Sequence, residues 1–312
     1  MNLKKITVPL VLLILSLGVS AQQQETFNNP VINADVPDPS MIRVGDYYYL
    51  VSTTMHLMPG CPVMRSRDLV HWETISYVFQ KLTDLPRYDL KEGTVYGRGQ
   101  WASSIRYHDG RFYVWFSPND EPYRGYIYTA EDPAGEWTLV SRPPHHHDAS
   151  LLFDDDGKVY VVHGQHKLYV TELNADVRSV KGKPVEIWNK GVDDSRGSGK
   201  KAGMEGSHVY KINGMYYITC PAGGTEGWQV CLRSKNIYGP YEHKVILQDD
   251  SSYPPNGLHQ GGMVQLKNGD WWFVIMQDRG PIGRVPHLLP VKWVDGWPIL
   301  GVNGKDAITY RK

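Results

Sequence analysis

The chain has 312 residues, with 33 basic and 33 acidic side chains, so its formal net charge is zero. No basic surplus points to nucleic acid, and no block of like charge makes an interaction tail. With 41% hydrophobic residues it has the material for one large domain or two ordinary ones.

The N-terminal segment reads as a targeting signal. Lys4 and Lys5 precede an apolar run from Ile6 to Val19, and small residues lead to Ala21. The expectation is a secretory signal peptide over 1–21, cleaved after Ala21, with the mature protein beginning near Gln22 in the periplasm or outside the cell. The apolar run is too short for a membrane span, and no cysteine marks a lipid anchor, so no membrane contact is expected after cleavage. The three cysteines, Cys61, Cys220 and Cys231, have no zinc spacing and read as buried, reduced apolar residues.

From there one unit recurs. Gly45 precedes D-Y-Y-Y-L-V, Asp109-Gly110 precedes R-F-Y-V-W-F, and Asp156-Gly157 precedes K-V-Y-V-V-H. Asn213-Gly214 then precedes M-Y-Y-I-T-C, and Asn268-Gly269 precedes D-W-W-F-V-I. Each reads as a tight hairpin turn feeding a β-branched or aromatic strand. A strand-like run leads into each turn: Ser40 to Val44, Ser104 to His108, Ser150 to Asp154, His208 to Ile212 and Gly262 to Lys267. A second echo follows three of the hairpins: Ser66-Arg67-Asp68 leads to Trp72, Glu131-Asp132 to Trp137, and Ser234-Lys235-Asn236 to Tyr241. These read as third strands turning into outer fourth strands. Five copies of an all-β unit of roughly 50 residues predict a five-bladed β-propeller. A two-sheet sandwich would not group its hairpins this way. Asp84 to Gln100 reads as a long loop, and Lys181 to Gly203 as a surface insertion.

In a propeller the first strand of each blade lines the central channel, so the residues just before those strands converge. They are Asp38, Trp101, Asp148, Glu205 and His259. Asp38 lies between Pro37 and Pro39, which predicts a stiff, extended mount for a carboxylate. The run His145-His146-His147 invites a metal reading, but consecutive residues of an extended segment face alternate ways and do not share one ion.

Seven motifs in this order carry a resemblance: N-P-V-I-N-A-D-V-P-D-P-S at 29–40, Q-W-A-S-S at 100–104, H-D-A-S at 147–150, M-E-G-S-H at 204–208, G-G-T-E at 223–226, H-Q-G-G at 259–262 and Q-D-R-G at 277–280. With them the chain, from Asn29 to about Gly301, resembles glycoside hydrolase family 43, five-bladed propellers that remove xylose or arabinose from plant polysaccharides. The resemblance implies an exported, inverting β-xylosidase or α-L-arabinofuranosidase acting on terminal pentoses of xylo- or arabino-oligosaccharides. An endo-arabinanase and a non-catalytic carbohydrate-binding propeller are the alternatives. It further implies that Asp38 is the general base, Glu205 the general acid, and Asp148 a third carboxylate that orients Glu205 and keeps it protonated. Trp101 and Ala102 would contact the innermost sugar, Thr225 and Arg279 would bond its hydroxyls, and His259 would hold a structural calcium. No catalytic cofactor is implied. Two features depart from the family pattern. Met55 to Gly60 stands where many xylosidases of the family carry aromatics, and the expected domain, 22–312, lacks the C-terminal β-sandwich of related proteins.

Overall fold

The five hairpins are the inner two strands of five four-stranded antiparallel sheets. The structure, a computed structural model, describes residues 26–193, 201–223, 227–248, 256–305 and 309–311. The segment read as a signal peptide lies outside the described residues. In each sheet the strands follow chain order from the channel outward. Blade 1 is Ser40–Val44, Tyr47–Val51, Gly60–Ser66 and Glu73–Phe79, and blade 2 is Gln100–His108, Arg111–Pro118, Tyr126–Ala130 and Thr138–Ser141. Blade 3 is Ser150–Phe153, Val159–His163, Leu168–Leu173 and Val180–Trp188, and blade 4 is His208–Ile212, Met215–Ala222, Trp228–Ser234 and Glu242–Gln248. Blade 5 is Leu258–Gln265, Trp271–Asp278, Arg284–Val294 and Trp297–Leu300. The protein is a five-bladed β-propeller.

The turns divide into two kinds. In blades 2 and 4 the pairs His108↔Arg111 and Ile212↔Met215 close two-residue loops, with Asp109-Gly110 and Asn213-Gly214 both at positive φ. That backbone twist matches the twist of the flanking strands, and Asp, Asn and Gly adopt it at least cost. In blades 3 and 5 Asp154 N–H donates to Lys158 O at 2.9 Å and Leu266 N–H to Asp270 O at 2.8 Å, and the N–H groups of Gly157 and Gly269 close tight turns on Asp154 O and Leu266 O at 3.1 Å, so those hairpins have three-residue loops. The outer turns share one construction. Side-chain oxygens of Asp68, Asp132 and Asn236 accept the N–H of Val70, Ala134 and Tyr238, respectively, at 2.9 Å. The ring that follows bonds back to the turn: Trp72 Nε1 to Leu69 O, Trp137 Nε1 to Pro133 O, and the Tyr241 hydroxyl to Ile237 O. Such Asx turns explain why the second echo repeats in the sequence.

The core lies in the seams between blades. Tyr49, Val51, Phe112 and Phe116 fill the seam of blades 1 and 2, and Trp115, Leu151 and Val161 that of blades 2 and 3. Val162, Val209 and Ile218 pack between blades 3 and 4, and Met41, Leu50, Phe273 and Leu288 between blades 5 and 1. Each such side chain contributes about 1.5–3 kcal/mol by leaving water. The first strands are also stitched by serines. Ser40 Oγ accepts the Ile105 N–H at 3.2 Å, Ser104 Oγ that of Leu151 at 3.0 Å, and Ser150 Oγ that of Val209 at 3.0 Å. Deeper in the channel the Arg106 guanidinium donates to Ile105 O, Ser150 Oγ and Val209 O. The ring closes where the N-terminal segment lies along blade 5, with Val31 N–H on Pro286 O and Val36 N–H on Arg284 O, both at 3.0 Å.

One expectation needs adjusting and another holds. The stretch Lys181 to Gly203 is not one surface insertion, because Val180–Trp188 is the outer strand of blade 3. Residues 194–200 lie outside the described residues. Cys61, Cys220 and Cys231 are buried and free; Cys220 pairs with Val230 and Cys231 with Thr219, so the two are offset by one residue.

Candidate active site

The upper ends of the first strands depart from regular strand geometry in a repeated way. Asp38, Asp148 and Gly206 each sit two residues before a first strand at φ 51, 48 and 59°, and Gln260 of blade 5 is at φ 54°. Asp38 is therefore left-handed and not extended as its flanking prolines suggest. Such a conformation costs a non-glycine residue roughly 1–2 kcal/mol, which the surrounding bonds must offset. Those bonds are visible. The Asp38 N–H donates to Met276 Sδ at 3.1 Å, Thr53 Oγ1 donates to Asp38 Oδ2 at 2.6 Å, and Arg284 Nη1 reaches Asp38 Oδ1 at 3.2 Å. In blade 2 a register shift between Gln100 and Ser103 plays the corresponding part. The Gln100 side chain anchors it, accepting from Thr54 N–H at 2.7 Å and donating to Trp101 O at 2.6 Å and Ser103 Oγ at 2.7 Å.

These ends enclose a cavity of about 230 Å3 lined by Asp38, Trp101, His147, Asp148, Glu205 and His259, with Asn119, Pro221, Gln260, Met276 and Arg284 completing the wall. The three carboxylates are dressed differently. Asp38 is buried, and burial pushes its pKa up while Arg284 and Thr53 pull it back. Glu205 takes hydrogen bonds on Oε2 from His147 Nε2 at 3.1 Å and from Gln165 Nε2 at 2.8 Å. Asp148 Oδ2 accepts the Gly206 N–H at 2.9 Å and lies 3.5 Å from His147 Nε2. Burial raises Asp148 to about 6, with His147 opposing and the charges of Asp38 and Glu205 adding to the rise. Donor atoms of His147, Asp148 and Glu205 all lie within 4.8 Å of one another.

The tuning of Glu205 runs opposite to the expectation. Asp148 was expected to keep Glu205 protonated by repulsion, yet the His147 hydrogen bond, opposed by burial, holds Glu205 below the usual carboxyl range. The direct charge-assisted bond from His147 outweighs the burial of the carboxylate.

Of the other residues expected at the site, Trp101 and His259 line the cavity and Ala102 does not. Trp101 Nε1 donates to Gly97 O at 2.9 Å, tying the cavity wall to the long loop between blades 1 and 2. Thr225 lies outside the described residues. Arg279 is not in the wall; its Nε donates to Gln277 Oε1 at 2.8 Å. The reason is strand parity. Met276 and Asp278 alternate with Gln277 and Arg279, and Met276 is the one in the wall. The Gly280–Ile282 turn then returns the chain so that Arg284 pairs with Asp278 and meets Asp38. Arg284 is the cation of the site that sequence reasoning missed. Its signal was the glycine-bounded turn, which puts an arginine opposite an aspartate on the next strand.

His147 and Gln165 were missed as well. The histidine run splits as alternation demands. His146 is buried, with Nδ1 2.7 Å from Pro144 O and its ring 4.1 Å from His163, while His147 enters the cavity. Both ring nitrogens of His259 have protein partners: Nδ1 is 3.2 Å from Gly257 O and Nε2 3.2 Å from Asp278 Oδ2. In place of the aromatics of the family pattern, His56 stacks on Tyr96 with centroids 3.9 Å apart and accepts the Gly97 N–H at 3.1 Å.

The profile of the glycosyl hydrolases family 43 matches residues 27–298. The chain belongs to that family. Among glycoside hydrolase family 43 proteins, it is 36% identical over 320 residues to the non-reducing end alpha-L-arabinofuranosidase BoGH43B of Bacteroides ovatus, covering 96% of this chain and 58% of that protein. It is 32% identical over 327 residues to a beta-xylosidase of Formosa agariphila, covering 93% of this chain and 54% of that one. A solved structure described as a bifunctional GH43-CE protein of Bacteroides eggerthii superposes with a TM-score of 0.83 at 39% identity, covering 92% of this chain and 37% of that chain. The chain spans about half the length of the curated relatives it matches.

Proposed function

We propose that this family 43 chain is an exo-acting glycosidase that releases terminal β-xylose or α-L-arabinofuranose from hemicellulose oligosaccharides with inversion at the anomeric carbon. The observation that carries the reading is one small cavity holding carboxylates in two distinct settings. Asp38 stands with Arg284 and Thr53, and burial raises its basicity, as suits a base that takes a proton from water. Glu205 stands with His147, Gln165 and Asp148 on blades 3 and 4; in this reading it protonates the leaving oxygen, although its two donors lower its pKa, and His147 beside it is a second proton-bearing group. Inversion needs the two groups on opposite sides of the sugar, roughly 6.5–9.5 Å apart. Trp101 offers a ring to a sugar face, and Arg284 offers a planar donor fork to vicinal hydroxyls.

A cavity of about 230 Å3 is small among ligand pockets and suits a single terminal ring. The names of the relatives, an arabinofuranosidase and a beta-xylosidase, support the pentose class. The reaction needs no cofactor in this reading. The Lys4-Lys5 and apolar N-terminal segment supports export to the periplasm or beyond. The test is hydrolysis of aryl β-xylosides, aryl α-L-arabinofuranosides and arabinoxylan oligosaccharides, with the first-formed anomer followed by NMR. Free pentose of inverted configuration is expected. Initial release of the retained anomer overturns the inverting mechanism, and tight sugar binding without turnover overturns the enzyme reading in favour of a binding module.

A further inference from the structure

We infer that His147 holds the catalytic proton of the free protein: its Nε2–H, 3.1 Å from Glu205 Oε2, stores the proton and hands it to Glu205 when a glycoside occupies the cavity. The inference rests on Glu205 being the acid, and it assigns a role to a residue that the carboxylate triad leaves unused. His147, Glu205 and His259 each come directly before the left-handed residue of their blades, Asp148, Gly206 and Gln260. The backbone therefore delivers His147 and Glu205 to the same level of neighbouring blades. The contact is fixed from both sides. Gln165 Nε2 bonds the same Glu205 oxygen, and the Gly206 N–H holds the Asp148 carboxylate 3.5 Å from His147 Nε2.

The electrostatics agree with that placement. Burial alone would lower His147, but the Glu205 bond and the charges of Asp148, Glu205 and Asp38 outweigh it and hold the imidazole above its ordinary value. The same bond lowers Glu205. Both shifts favour the proton on the imidazole over the carboxylate in the free protein. The other titratable and charged groups facing the pair are Asp148 and His145 from its own segment, His163 and His166 from blade 3, Asp38 from blade 1, and Arg284 beyond Asp38. A substrate that displaces water weakens a separated charge pair relative to the neutral one, so the proton moves from Nε2 to Oε2. Glu205 then gives it to the leaving oxygen as the C–O bond breaks. Asp38 takes one proton from the attacking water and later releases it to solvent, while His147, part-exposed, recovers one from solvent. The sum is hydrolysis by one water. His147 acts through Glu205 and is a positioning residue that also titrates.

The sign of a pH shift tests this. If His147 holds the proton, the alkaline limb of kcat/KM in the natural protein reports the imidazole and lies above ~6.5. His147→Gln keeps a donor to Glu205 but has no proton to give, so the limb must fall toward that of a carboxyl group, by ~2 pH units or more. If Glu205 holds the proton itself and His147 merely lowers its pKa, removing the histidine leaves the limb in place or raises it, which overturns the inference. His147→Phe should give the same downward shift, and aryl substrates with acidic leaving groups should lose less activity than natural glycosides in both variants. A second readout needs no turnover. In 15N-histidine-labelled protein, one imidazole should titrate above ~6.5, vanish in His147→Gln, and move to lower pH in Glu205→Gln. A His147 ring that stays neutral from pH 5 to 8 overturns the proposal. Absence of pentosidase activity would remove the proposed function and leave this titration to decide the proton's location.

Discussion

At the lower end of blade 2, Asp109 and Gly110 turn the first strand into the second with φ of 46 and 78°, and a Cβ placed on Gly110 would meet nothing within 4 Å. At the upper end of blade 4, Gly206 has a similar φ of 59°, but a Cβ there would lie 2.6 Å from Gln260 Cδ. The two glycines share a conformation and differ in what surrounds them. The lower turn satisfies itself within a few residues. The upper end is held by other blades: Gln260 from blade 5, Asp148 from blade 3 and, at the corresponding place in blade 1, Arg284 from blade 5. Strain at the upper ends is thus maintained by neighbours, and there the chemistry sits.

The comparison is broken most forcefully at the carboxylates. Asp38→Ala should lower kcat/KM by ~10²–10⁴-fold on natural oligosaccharides and aryl pentosides alike, since every substrate needs the activated water. Glu205→Ala should match that loss on natural glycosides and lose far less on aryl glycosides with acidic phenols, which depart unprotonated. Steady-state kinetics on both substrate types checks the pair; the reverse pattern would exchange their roles. Gly206→Ala should come next. It must displace Gln260 and the loop bearing Glu205, and a misplacement of about 1 Å can cost ~10²-fold in rate. Unchanged kinetics in that variant would deny that the upper end is held by cross-blade packing.

Smaller effects fall on stability. Arg106→Met removes the donor shared by Ile105 O, Ser150 Oγ and Val209 O, so urea denaturation should show a loss of about 1.5–3 kcal/mol with the site's pH profile kept. Gly110→Ala should be the mildest, at about 1–2 kcal/mol from its left-handed φ alone, with kcat/KM unchanged. A fall in kcat/KM for Gly110→Ala would mean that the two ends are coupled along the strand.

Much of the fold was legible because its signals are local. Asn213-Gly214 is a two-residue turn whatever lies beyond it, and the Asp68, Asp132 and Asn236 turns close on their own backbone. Loop length was less legible. Asp156-Gly157 and Asn268-Gly269 carry the same dipeptide signal but end three-residue loops, in which each glycine N–H bonds back to Asp154 O or Leu266 O. At the site, Asp38, Trp101, Asp148, Glu205 and His259 could be named from their place at the opening of each first strand, and all five line the cavity. Arg279 and Arg284 could not be told apart in that way. Both lie near the turn at 280–283, and only the parity of the strands around it turns one toward Asp38 and the other toward Gln277.

By itself the sequence determined the repeat, the order of the strands and the residues that open each blade, since periodicity and turn chemistry act over a few residues. The tertiary structure decided how those residues are charged. His147 lowers Glu205, and Arg284 offsets the burial of Asp38, through bonds spanning 58 and 246 residues of chain, respectively. Electrostatic interaction depends on distance in space and on exclusion of water, and neither is set until the blades close into a ring.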